Sequence, residues 1–202
     1  MLHLGLSRRW FTPILVLVAL CLGSLAGTGC GGPRWVVVRQ AAPNPLHGQS
    51  QFVIEAVTYP NLLIGDKPEA AWLSEKKEDA RQSFEGDKTE TAKNLIEQLI
   101  ARAGSRGIQV IPWSGAPGAF NLRPAITFFE PGNYNGFVNT ATTVQISVQV
   151  LSAQGQIIDE VVFRSDVPAT LYNPTSGGRM QLAGKDLGGQ IANYLIWRSL
   201  GG

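Results

Sequence analysis

Cys30 is the last cysteine of the 202-residue chain; Cys21 is the other. Downstream of it there is also a single histidine, His47. Those two counts restrict the chemistry. After position 30 no thiol nucleophile, disulfide or cysteine-ligated metal is possible. A Ser-His-Asp triad would need His47, which stands in a Pro/Gly-rich segment, and a multi-histidine metal site is impossible. His47 reads as a solvated bystander. Ser74-Glu-Lys-Lys77 has the S-x-x-K spacing in which lysine activates a serine, but neither S-D-N nor K-T-G occurs. Glu130, Asp159 and Glu160 are the carboxylates from which an acid/base pair would be drawn; strand-end solvation or an ion pair with an arginine is the plainer reading. Residues 27–32 spell G-x-G-x-x-G, without a strand before or a helix after, so a dinucleotide site is rejected. Trp72, Trp113 and Trp197 read as core or rim aromatics, since no basic stripe accompanies them. No cofactor, metal or nucleic-acid partner is expected.

Cys30 itself has a distinctive setting. Arg8-Arg9 precede an apolar run over residues 13–22, and small residues follow up to Gly29. Charged start, short apolar centre and small-residue exit are the parts of a secretory signal peptide. The apolar run has about half the length a membrane-spanning helix needs, ~20 residues. Cys30 at the exit resembles the lipobox of bacterial lipoproteins, in which the cysteine is acylated and becomes the first residue of the mature chain. Gly29 and Thr28 fit that pattern; Gly27 stands where an aliphatic residue is usual, and Leu25 comes two positions too early. An uncleaved N-terminal anchor, or cleavage without lipidation, are the alternatives. By the family's sorting rule Gly31, not being Asp, implies the outer membrane, facing the periplasm.

The organisation expected is a signal peptide over residues 1–29, a lipidated arm or linker over 30–51, and one domain over 52–202. Cleavage removes Arg8 and Arg9 and leaves 15 basic against 15 acidic residues, a net charge of zero. That gives no electrostatic reason to bind nucleic acid. In the arm, residues 34–39 read as a short strand and residues 41–50 as a loop. The strand suggests that part of the arm packs on the body.

Residues 52–58 are β-rich. Residues 68–84 suit a short helix or ordered loop. Ala92, Leu95, Ile96, Leu99, Ile100 and Ala103 repeat as one buried helical stripe. Asp87 and Glu90 are spaced as a capping box, and Gly104 and Gly107 end the run. Residues 108–113 then form a strand, and the strand–helix–strand unit places its two strands parallel. Residues 122–129 form another. Residues 143–151 alternate, with Val144, Ile146, Val148 and Val150 inward, and residues 157–164 return antiparallel. The last helix carries Leu182, Leu187, Ile191, Tyr194, Leu195 and Arg198 on or near one face; its glycines 184, 188 and 189 suit close approach to the sheet. The expected fold is α+β: a mixed β-sheet with two main helices on one face, in the order β-α-β-β-β-β-α.

This order behind Gly29-Cys30 is similar to small bacterial envelope lipoproteins of uncharacterised families. With residues 87–103, Gly107-Ile-Gln-Val110 and Glu130-Pro-Gly-Asn133, it also looks like the α/β domain of curli-secretion lipoproteins. The resemblance implies a fold and a compartment, and no catalytic residue. A non-enzymatic, membrane-anchored lipoprotein that binds other envelope proteins is the leading expectation. An accessory subunit of an envelope export or transport complex is the alternative, and a hydrolase working without histidine or metal is the third. The expected contact surface is the loop at residues 130–139, with Glu130, Asn133, Tyr134, Asn135 and Phe137: aromatic anchors among adaptable polar groups. Alternatively the two rings fold down over the sheet edge.

Overall fold

The computed structural model describes residues 34–114, 120–135 and 139–201. Cys30 and Phe137 therefore lie outside the described residues. The elements are β1 (Trp35–Gln40), β2 (Gln51–Ile54), β3 (Leu63–Ile64), β4 (Lys67–Pro68), α1 (Glu69–Ser74), α2 (Glu78–Gly104), β5 (Gln109–Pro112), β6 (Phe120–Glu130), β7 (Asn133–Tyr134), β8 (Asn139–Thr140), β9 (Thr142–Ser152), β10 (Ile157–Val167) and α3 (Ser176–Leu200).

Alternation builds the sheet. Val144, Ile146, Val148 and Val150 of β9 are buried, while Gln145, Ser147 and Gln149 are only half-covered. A strand patterned this way needs an apolar layer on one side only. The main strands run β1-β10-β9-β6-β2-β5, with β3 and β4 attached beside β6. β2 pairs parallel with β5 and β6; β9 pairs antiparallel with β6 and β10. Helices α2 and α3 supply the apolar layer, so the architecture is the expected α+β one. Leu95, Leu99 and Ala103 of α2 are fully buried, as are Leu187 and Leu195 of α3. Each such leucine contributes roughly 1.5–3 kcal/mol by leaving water.

Three local expectations need correction. The capping pair Asp87 and Glu90 starts no helix, because α2 already begins at Glu78. The Asp87 carboxylate instead abuts Gly177 in the first turn of α3. Burial raises its pKa, partly offset by a hydrogen bond from Gln181. Second, Gly184 and Gly188 approach α2, not the sheet. A Cβ at Gly184 would lie 2.5 Å from the Thr91 carbonyl oxygen, and one at Gly188 would fall on that of Leu95. The two helices lie side by side on one face of the sheet and run parallel, so their closest approach is to each other. Gly189 points into open space. Third, Leu182 is 37% exposed, lying off the face formed by Ala183, Leu187, Ile191, Tyr194, Leu195 and Arg198.

The expected turn after α2 is present. Gly107 has φ +78°, and the Ile108 N–H donates to the Ala103 carbonyl at 3.1 Å, closing the helix end.

Candidate functional site

The candidate site lies where β6 ends and β9 begins. Glu130 closes β6, and Pro131 and Gly132 turn the chain into the β7–β8 ladder, Asn133 against Thr140 and Tyr134 against Asn139. Gly132 has φ +64°, and a Cβ there would meet the Thr140 and Ala141 carbonyl oxygens at 2.5 and 2.6 Å. Only glycine fits such a corner. The Asn133 N–H donates to Thr140 Oγ1 at 2.7 Å, and the Gly132 N–H donates to Glu130 Oε1 at 3.4 Å. Tyr134 is half-buried, while Asn133 and Asn135 are exposed. Four of the five expected contact residues therefore fall on one structured turn, and Phe137 lies outside the described residues.

A second turn adjoins it. Between β10 and α3, the Asn173 N–H donates to the Thr170 carbonyl at 3.1 Å. The two residues at its tip are Leu171, 81% exposed, and Tyr172, 93% exposed.

One side chain holds both turns. Arg179 is only 1% exposed. Its Nε donates to Thr142 Oγ1 at 2.7 Å and its Nη2 to the Pro131 carbonyl at 3.0 Å. Its Nη1 donates to the carbonyls of Asn173 and Pro174, at 3.1 and 2.6 Å. Thr142 Oγ1 in turn donates to the Pro131 carbonyl at 2.6 Å. Among the described residues no carboxylate forms a salt bridge with Arg179, and burial lowers its pKa. The planar fork of arginine suits this task, since its donors diverge in fixed directions. Sequence reasoning missed Arg179 because lone arginines on helices are usually solvated. It also missed Leu171-Tyr172, for which a signal existed: two large apolar residues in a turn between Pro168 and Pro174.

The other carboxylates divide. Asp159 and Glu160 lie on opposite faces of β10, so they form no acid/base pair. Asp159 is fully buried on the same inward face as Val161 and Phe163, and the bulge between Ile157 and Asp159 breaks that alternation only ahead of it. It accepts from Arg198 at 2.8 and 3.0 Å and from Tyr194 Oη at 2.7 Å. Burial, then the Asp159 hydrogen bond, pushes the Tyr194 phenol well above its ordinary range. The same cluster receives the Ala41 N–H at 3.0 Å, while Arg198 reaches the Ala41 carbonyl at 3.2 Å. On the uncovered sheet face a shallow groove of about 570 Å³ is lined by Asn61, Leu63, Thr127, Phe128, Gln145 and Arg164. Its charged group, Arg164, holds Asp166 at 2.9 Å and so keeps that carboxyl below the usual range. Among the described residues no group of three or more His, Cys, Asp or Glu is placed to hold a metal ion, and no helix is long and apolar enough to cross a membrane. His47 and Trp113 are exposed; Trp197 sits at the rim, against Trp35 and Tyr194.

Solved structures similar to this chain include several bacterial lipoproteins, rather than curli-secretion lipoproteins in particular. One is a minor lipoprotein from Acinetobacter baumannii: 15% identity, TM-score 0.39, covering 72% of this chain and 91% of that one. A PelC dodecamer from Paraburkholderia phytofirmans is 7% identical with TM-score 0.43, covering 77% and 96%. A Xanthomonas campestris protein of a family of unknown function is 10% identical with TM-score 0.44, covering 80% and 92%. No family model and no curated protein matches. Likenesses this distant transfer no activity.

Proposed function

We propose that this chain is a lipoprotein of the bacterial envelope, acylated at Cys30, held on the outer membrane facing the periplasm, and that its domain is a non-enzymatic module that binds other envelope proteins. The observation that carries the binding role is the Arg179 clamp. A buried cation that ties two turns together presents them as one preformed surface, and preformed surfaces lose little ordering entropy on binding. Glu130, Asn133, Tyr134, Asn135 and Phe137 are the contact residues. The buried Asp159 and the exposed Asp166 are both engaged by arginines, which suits a scaffold rather than acid/base chemistry.

Two variants test this. Cys30→Ser should leave a soluble or uncleaved precursor, because the acyl chains that hold the mature protein firmly are lost; a Ser variant that fractionates with membranes at the mature size refutes the anchor. Tyr134→Ser with Phe137→Ser should leave the melting temperature unchanged and abolish co-purification of partners in mild detergent. A destabilised double variant that keeps its partners refutes the contact role and makes the rings structural caps.

A further inference from the structure

We infer that the Leu171–Tyr172 turn rests on the lipid bilayer, so that the loop end of the sheet faces the membrane. The inference rests on the proposed acylation of Cys30 and adds what the anchored domain touches.

The tether sets the geometry. Cys30 stands four residues before Arg34, a reach of about 14 Å at full extension. β1 pairs antiparallel with β10, Trp35 against Phe163, so Arg34 is level with Arg164. β10 ends three residues further on, at Val167, about 10 Å along the strand. Beyond it comes the turn bearing Leu171 and Tyr172. In the opposite direction the end of β1 at Gln40 lies about 20 Å from Arg34. A bilayer holding Cys30 is therefore within reach of the loop end and of the β1 edge, and out of reach of the hairpin end at residues 152–157.

Solvation chooses between these two. The β1 edge shows Val36, Val37 and Val38 to solvent. Among the described residues it is also the outermost strand of the sheet, with N–H and C=O groups that pair with no further strand, between Arg34 and Arg39. Lipid cannot satisfy such groups, so an open sheet edge is costly to place there. The Thr170–Asn173 turn bonds its own backbone at its base. It shows an aliphatic and an amphipathic aromatic side chain, the pairing suited to a membrane–water interface. Arg179 holds the turn in place, so seating it requires no ordering of the loop. A protein partner at residues 130–139 would then be met at the membrane surface.

The test uses the full-length acylated protein, extracted from bacterial membranes and reconstituted into phosphatidylethanolamine–phosphatidylglycerol vesicles that contain headgroup-nitroxide lipid. A fluorophore is attached at Tyr172→Cys, Val38→Cys or Gln154→Cys, exposed positions whose variants should melt with the wild type. Nitroxide should quench the label at position 172 several-fold more than that at 154, with 38 little affected. Strongest quenching at 38 would put the edge on the bilayer and overturn the inference. Flotation with the vesicles but no quenching at any position would leave the turn free for a protein and also overturn it, while the anchor reading stands. Mature-size protein that does not float refutes acylation, and the seating falls with it.

Discussion

Arg179→Met is the most informative single substitution. Methionine fills much of the same channel but donates no hydrogen bond. The variant leaves the Asn173 and Pro174 carbonyls without the partner they have in the wild type; Pro131 keeps the Thr142 hydroxyl. A hydrogen bond to a charged donor is worth about 1.5–3 kcal/mol, but Asn173 is half-buried and Pro174 exposed, so water takes over part of both bonds. Relief of the guanidinium's own desolvation offsets a further part, and the net expected loss is about 1–2 kcal/mol. For a domain of this size that corresponds to a fall in Tm of roughly 2–8 °C. The assay is a urea melt read by tryptophan fluorescence, alongside hydrogen exchange at residues 170–175. Exchange there should accelerate beyond the global change, because the turn loses the bonds to its Asn173 and Pro174 carbonyls. Arg179→Lys should not rescue, since one ammonium cannot span Thr142, Pro131 and both carbonyls of the second turn. A loss under ~0.5 kcal/mol, the scale of a neutral surface change, or full rescue by lysine would refute the clamp.

Three further outcomes follow from the packing. Gly188→Ala should cost about 1–3 kcal/mol by forcing α3 off α2, whereas Gly189→Ala, into open space, should gain roughly 0.5–1 kcal/mol; paired thermal melts compare them, and equal midpoints would contradict the close approach. Asp159→Ala should cost about 3–5 kcal/mol, because Arg198 stays buried without its counter-charge; calorimetry checks this, and a loss no larger than that of an exposed aspartate would contradict it. Asp87 has a raised pKa in the fold, so its ionised form opposes folding, and that penalty is relieved as pH falls through the folded pKa towards the unfolded one. Asp87→Asn should therefore be more stable than wild type at pH 7, with the gap closing in urea melts at acidic pH; a gap that widens on acidification would contradict the sign.

The sheet and the long helices were legible because their signals are periodic and local. The alternation of β9 and the stripe Leu95–Leu99–Ala103 each name their own buried face. The inward face of β10 was not legible, because the alternation of Val161 and Phe163 carries a charged Asp159 inward, and the Arg198 that compensates it lies 39 residues away. The glycines of α3 announced a close approach without saying to what, since parallel packing on α2 is a tertiary choice. At the loop end, turn residues and aromatics marked 130–139 directly. The clamp that shapes it depends on Arg179 meeting Pro131 and Thr142 across the fold, and no local pattern carries such a meeting.

The contacts near Asp159 have a consequence for the order of assembly. Residues 40–48 are held largely by residues that follow 151 to 157 positions later: Gln40 by Tyr194, Ala41 and Asn44 by Arg198, and Gly48 by Ser199. A chain emerging from its N-terminus onward cannot make these bonds until α3 has appeared. Until then β1 also lacks β10, its partner in the sheet. Closing so long a loop comes late and carries an entropic cost that local contacts do not. The first strand of the domain is thus among the last to dock, and its Val36-Val37-Val38 run stays without its sheet partner after β2, α2 and β5 have begun to pair.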